Sequence, residues 1–191
     1  YRHVFYMKTD RDGLVLVPPL QLDHEIDGNG GQWSPHIATD VNEYAHIVWY
    51  GNTVPESKPP YHLYYSKINP EGTQVLGPVK FLTSDYSSVP VIDPFPDLGL
   101  GTGSFENPRV AVTSSGKVHV VFWGEDTVPV PFNVIDVATI FYMQLDPDSG
   151  EVIKSPTLLT DIADYLDPVT GPPEIVAGPL DDLYVAWHRG S

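Results

Sequence analysis

Carboxylates dominate the parts of this chain that could do chemistry. Five stretches, 23–34, 51–60, 84–107, 124–138 and 161–172, hold fourteen Asp and Glu against only Lys58 and His24. Hard oxygen ligands suit Ca²⁺, and Asp23, Glu25 and Asp27 offer the most ligand-rich spacing, although no segment reproduces an EF-hand loop. A solvated turn is the competing reading of any one such cluster. Paired carboxylates also hydrolyse glycosides, but sequence does not reveal which pair stands at catalytic separation. A face this negative repels anions and favours cations, or neutral sugars bridged by a cation. Trp33, Tyr86, Phe95, Phe105 and Phe132 lie in the same stretches, where they either stack on sugar rings or anchor loops. Trp33 and Tyr86, with His36, Arg109 and Asp126, make up the candidate ligand-binding set.

Other chemistries are excluded by composition. Zero cysteines remove disulfides, thiolate metal sites and thiol nucleophiles. A net charge of −15 argues against nucleic acid and against an anionic membrane surface, because both call for clustered Lys and Arg. No apolar stretch approaches the roughly 20 residues of a membrane-spanning helix, so no membrane insertion is expected. The chain opens at Tyr1, which reads as processing or as excision from something longer. We expect a secreted or cell-surface protein, bacterial or archaeal.

The elements that must position these residues are repeats. Pro35, Pro108 and Pro173 each precede His46, His119 and Tyr184 by eleven residues, in phrases ending His46-Ile47-Val48-Trp49, His119-Val120-Val121-Phe122-Trp123 and Tyr184-Val185-Ala186-Trp187. A second phrase alternates with it: Phe5-Tyr6-Met7, Tyr64-Tyr65-Ser66 and Phe141-Tyr142-Met143, each leading to a turn glycine at Gly13, Gly72 or Gly150. Fixed periods of this kind mark stacked supersecondary units that share a core. The repeated segments are β-branched and aromatic, and no window shows a helical apolar period. His46 and His119 occupy equivalent positions, which reads as packing rather than as a catalytic pair.

Four-stranded antiparallel units in series, with strands apolar on both faces, predict an all-β chain and a β-propeller segment. With strands lettered A to D from the propeller axis outward, the chain order is CD-ABCD-ABCD-AB, about three blades. The boundaries are 1–23 for a half blade, 35–83 and 107–160 for whole blades, and 172–191 for a second half blade. Three blades leave broad apolar faces uncovered, so the expected partners are other propeller blades, in the same protein or in another copy. Residues 1–23 are expected to pair with 173–190 of another copy or of a separate chain. The long D–A and B–C connections share one face, where a rigid scaffold usually carries function.

The phrase Pro-x-Ile-Ala leading into His-Ile-Val-Trp resembles the sialidase-like propeller superfamily, of the bacterial-neuraminidase-repeat type, over nearly the whole chain. That resemblance implies the fold and says little of activity. Asn69-Pro70-Glu71-Gly72-Thr73 and Asp146-Pro147-Asp148-Ser149-Gly150 stand where members of that group carry an Asp-box, without its motif. Sialidase chemistry needs three clustered arginines, and this chain has only Arg2, Arg11, Arg109 and Arg189. The leading expectation is therefore a non-catalytic binding or assembly module, glycan-binding in the first instance. A glycoside hydrolase or polysaccharide lyase domain is the alternative, and a structural subunit of a surface layer or filament is the third reading.

Overall fold

The computed structural model describes residues 2–26, 30–53, 61–83, 105–130, 133–160 and 171–190. Their strands are all antiparallel and fall into four sheets. A hairpin of β1 (Phe5–Thr9) and β2 (Val15–Gln21) comes first. Two four-stranded meanders follow: β3 (Gln32–Thr39), β4 (Ala45–Gly51), β5 (His62–Ile68) and β6 (Gln74–Thr83), then β7 (Phe105–Val112), β8 (Val118–Val130), β9 (Asn133–Leu145) and β10 (Val152–Leu158). The last sheet pairs β11 (Glu174–Ala177) with β12 (Leu183–Ala186). This is the CD-ABCD-ABCD-AB order, with β3, β7 and β11 packed side by side as the innermost strands.

The hairpins close by side-chain chemistry that repeats along the chain. Asp10 Oδ1 accepts the amides of Asp12 and Leu14, and Asp40 Oδ1 those of Asn42 and Tyr44. Asn69 and Asp146 do the same work in their own turns. Such Asx turns offer the backbone a ready-made reversal. Gly13, Gly72 and Gly150 supply the positive φ that each C–D turn needs, at 87°, 87° and 72°.

Packing runs from sheet to sheet. Ile47 and Trp49 of β4 face the first hairpin with Val4, Tyr6 and Leu22, while Val48 faces the next sheet with Tyr65, Val120, Phe122 and Met143. A third cluster joins Ala111, Val121 and Ile140 to Ile175 of the final hairpin. Central strands are buried on both faces, which is why alternation is absent from their sequence.

Two details differ from the sequence reading. The B–C connection at 124–138 is mostly ladder, since Glu125↔Ala138 through Val130↔Asn133 continue the β8–β9 hairpin. Val128, Val130, Val134, Ile135 and Val137 are β-branched, which favours extended pairing over a loop. Strands β3 and β7 also begin before their prolines, so Trp33 and Phe105 are strand residues, and Phe105 belongs to the core.

Candidate functional site

The position after each strand-A proline gathers three different side chains at the inner strands. His36 of β3, Arg109 of β7 and Glu174 of β11 are repeat equivalents. Arg109 Nε donates to Glu174 Oε1 at 3.1 Å, and its Nη1 to the Pro108 carbonyl at 3.0 Å. His36 Nδ1 accepts the amide of Val110 at 3.2 Å, which puts the imidazole proton on Nε2, 3.7 Å from Glu174 Oε2. Burial lowers the His36 pKa and Arg109 lowers it further, while Glu174 opposes them. The three residues thus link successive innermost strands by charge and hydrogen bond.

One turn of backbone nearer the D–A and B–C end, β3 and β7 share an irregularity. Their ladders slip between Trp33 and His36 and between Glu106 and Arg109. Ser34 and Asn107 take positive φ there, at 47° and 51°, and Ser34 Oγ donates to Asn107 Oδ1 at 2.9 Å. The bulges turn the preceding residues onto the rim of the inner strands.

Three aromatic rings meet at that rim. Trp33 stacks on its cross-strand partner Tyr50 with centroids 5.6 Å apart and planes at 26°. Tyr61 stands edge-on to both, at 5.7 Å from Trp33 and 5.4 Å from Tyr50. All three rings are partly exposed. The seat of the indole is built by Asn52, whose Oδ1 accepts the Gly31 amide and whose carbonyl accepts Gln32 Nε2. Gln32 Oε1 in turn accepts the indole N–H of buried Trp49 at 3.0 Å. Glycine at position 31 lets the indole lie where it does, because a Cβ would sit on the benzo ring of Trp33 and displace it.

Glu106 gives this aromatic rim its charge. Burial pushes the Tyr50 phenol up to about 12, with Glu106 and Tyr61 adding to the shift and the Ser34 hydrogen bond opposing it. Tyr61 is raised for the same two leading reasons, burial and then Glu106. Both phenols are therefore neutral hydrogen-bonding groups at ordinary pH. Partly exposed rings beside a carboxylate can stack on apolar sugar faces and bind hydroxyls.

Of the expected ligand-binding residues, His36 and Arg109 lie beside each other on β3 and β7, while Trp33 stands apart with Tyr50 and Tyr61. Asp126 lies in the extended hairpin, its backbone paired with Val137, and Tyr86 is outside the described residues. Of the expected metal ligands, buried Asp23 holds His3 Nδ1 through Oδ2 at 3.1 Å and leaves Oδ1 without a hydrogen-bond partner. Glu25 Oε1 lies 3.7 Å from His24 Nε2, and Asp27 is outside the described residues. Among the described residues no three His, Asp or Glu side chains converge as a metal site. His46 and His119 are packing residues, each against a tyrosine of the neighbouring strand. Tyr50, Tyr61, Ser34 and Asn107 were not singled out by the sequence. The available signal was the position itself, which carries Tyr50, Trp123 and His188 in the three copies and so an aromatic ring each time.

No protein-family model and no curated protein sequence matches this chain. Solved structures do. The chain superposes on an α-L-arabinanase of Penicillium chrysogenum complexed with arabinobiose, at TM-score 0.56 and 11% identity over 96% of this chain and 48% of the other. It superposes equally on the GH93 α-L-arabinofuranosidase of Fusarium graminearum with arabinobiose, at TM-score 0.56 and 13% identity over the same 96% and 48%. The fold is a β-propeller. The chain spans about half the length of the solved structures it matches. At these identities the likeness establishes the propeller rather than the sialidase-like group within it. Both solved structures are glycosidases, the reaction class expected here if the chain is catalytic.

Proposed function

We propose that this chain is a segment of a glycan-acting β-propeller of the glycoside hydrolase type, and that Trp33, Tyr50, Tyr61 and Glu106 form a seat for a neutral sugar. The observation that carries this reading is the aromatic trio, with all ring centroids within 5.7 Å, open at the rim of the inner strands beside a carboxylate. The propeller likeness to two glycosidases supports the reaction class. Arg109 is committed to Glu174 and to a backbone carbonyl, which speaks for a neutral ligand over an acidic one. Hydrolysis takes two carboxyl groups, and Glu106 is one candidate.

Arabinobiose, then a panel of neutral oligosaccharides and chromogenic glycosides, tests the reading. Saturable quenching of tryptophan fluorescence that disappears in Trp33→Ala is the expected result. Turnover lost in Glu106→Gln with binding retained marks a glycosidase. Binding with no turnover of any substrate returns the chain to the non-catalytic binding reading. An unchanged titration in Trp33→Ala removes the aromatic seat altogether.

A further inference from the structure

The two whole blades are joined by a run of polar groups that crosses from one sheet to the next. Asp40 lies in the turn between β3 and β4, His46 on β4, Tyr65 on β5, and Pro147 in the turn between β9 and β10. His46 is fully buried, and only 9% of the Asp40 side chain is exposed. Asp40 Oδ2 lies 3.4 Å from His46 Nε2, and His46 Nδ1 lies 2.7 Å from the Tyr65 hydroxyl. That hydroxyl lies 3.2 Å from the Pro147 carbonyl.

Three links need three protons. A carboxylate and a carbonyl bring none, tyrosine brings one, and a neutral imidazole brings one more. When Tyr65 donates to Pro147, His46 must donate from Nδ1, and its bare Nε2 then faces the carboxylate. When Nε2 donates to Asp40 instead, Nδ1 accepts the Tyr65 proton and Pro147 loses it. The Asp40 link is the longest of the three, as expected of the one that lacks a proton while Tyr65 holds Pro147.

We propose that Asp40, His46 and Tyr65 form a proton-limited clasp, which at neutral pH holds either the Asp40 turn of its own blade or the Pro147 turn of the next. It holds both only when one more N–H is supplied. The charged groups around the imidazole are Asp40 from its own turn, Lys67 from β5 and Asp148 from the turn of the next blade. Lys67 is itself paired with Asp148 at 2.8 Å. Burial lowers the His46 pKa and Lys67 adds to this, while Asp40 and Asp148 oppose it, so the ring is neutral above pH 7. Burial also keeps the Tyr65 phenol protonated. The second whole blade lacks the carboxylate. Thr113 stands in the place of Asp40, and its hydroxyl accepts the Lys117 amide.

Asp40→Asn supplies the missing donor at nearly constant shape. Its Oδ1 can still accept the amides of Asn42 and Tyr44, while Nδ2 donates to His46 Nε2. Urea unfolding at about pH 8 should show a folded-to-unfolded ratio roughly fivefold higher in Asp40→Asn, the worth of one neutral hydrogen bond. The gain should vanish when Tyr65→Phe is added, because Nδ1–H then has no acceptor. Asp10→Asn, which removes the same charge from an Asx turn of the same kind, should bring no gain. The advantage of Asp40→Asn should shrink as pH falls toward about 5.5, since Asp40 favours the imidazolium and Asn does not. Nitrogen-15 spectra of histidine-labelled wild-type protein should show a single proton on His46 at about pH 8, a readout that needs no variant. A doubly protonated His46 at that pH, no gain from Asp40→Asn, or a gain that grows in acid would overturn the proposal. So would a gain that persists with Tyr65→Phe or is matched by Asp10→Asn.

Discussion

Tyr65 reaches into the next blade to Pro147, its hydroxyl donating at 3.2 Å to a carbonyl 82 residues further along the chain. The same hydroxyl oxygen lies 2.7 Å from Nδ1 of fully buried His46, whose Nε2 stands 3.4 Å from Asp40 Oδ2. A turn carboxylate, a core imidazole and a phenol thus form one chain of contacts that ends in the next blade.

Tyr65→Phe should cost about 1–3 kcal/mol of folding free energy, since it strips a buried imidazole nitrogen and a carbonyl of their partner at nearly constant volume. Tyr142→Phe, at the repeat-equivalent position, should cost less, because its ring is less buried. Urea unfolding of both variants checks the order, with m expected to be unchanged. Equal effects would show that the contact to Pro147 contributes nothing.

Acid should destabilise the protein in two windows. His36, His46 and His119 all have pKa values lowered from 6.5, with burial as the leading cause. Such histidines bind protons more readily unfolded, so their contribution is complete above about 6.5, falls as pH drops below it, and is gone beneath the folded values. Asp146 and Asp181 are lowered by hydrogen bonds from Ser149 and Asp148 and from Ser114. Their contribution is present above the ordinary carboxylate value of 3.8 and disappears as pH falls through the folded values. Melting temperature against pH should therefore decline between pH 7 and 5 and again below 4. A flat profile from 7 to 5 would refute the histidine part.

Glu174→Gln should cost under about 1 kcal/mol, because one partner of its pair with Arg109 is well exposed. The loss should shrink further in high salt. A cost above that, insensitive to salt, would mean that the Arg109–Glu174 link acts through packing.

Gly31→Ala should weaken glycan binding about tenfold while leaving the melting temperature nearly unchanged, since the added methyl displaces the Trp33 indole from its seat. Fluorescence titration against arabinobiose, beside a thermal melt of the same sample, separates the two effects. Unaltered affinity would show that the indole position is irrelevant to binding.

The architecture was legible because its signals are local. An eleven-residue interval from Pro35 to His46 spans one A–B hairpin, and Asp10, Asp40, Asn69 and Asp146 mark the turns by chemistry each can do alone. The aromatic rim was only half legible. Trp33 stood out as an aromatic beyond the repeat, but Tyr50 and Tyr61 lie on opposite sides of the 51–60 connection and become neighbours only when β4 and β5 pair. The pairing of Arg109 with Glu174 was hidden for the same reason, since equivalent repeat positions touch only once the blades are stacked.

The contacts of the C–D turns have a direction. Lys8 donates to the carbonyl of Pro70 in the following blade, and Lys67, its repeat equivalent, donates to Asp148 in the blade after that. Each outer turn is thus gripped from behind, on the end of the molecule opposite the aromatic rim. The outer turns hold blade to blade at that end, while the proposed sugar seat stands at the other end of the same strands, where Ser34 and Asn107 add one further link. The connections around Trp33 and Tyr61 are accordingly free to diverge, lengthen or be redesigned without loosening the grip that keeps one blade in step with the next.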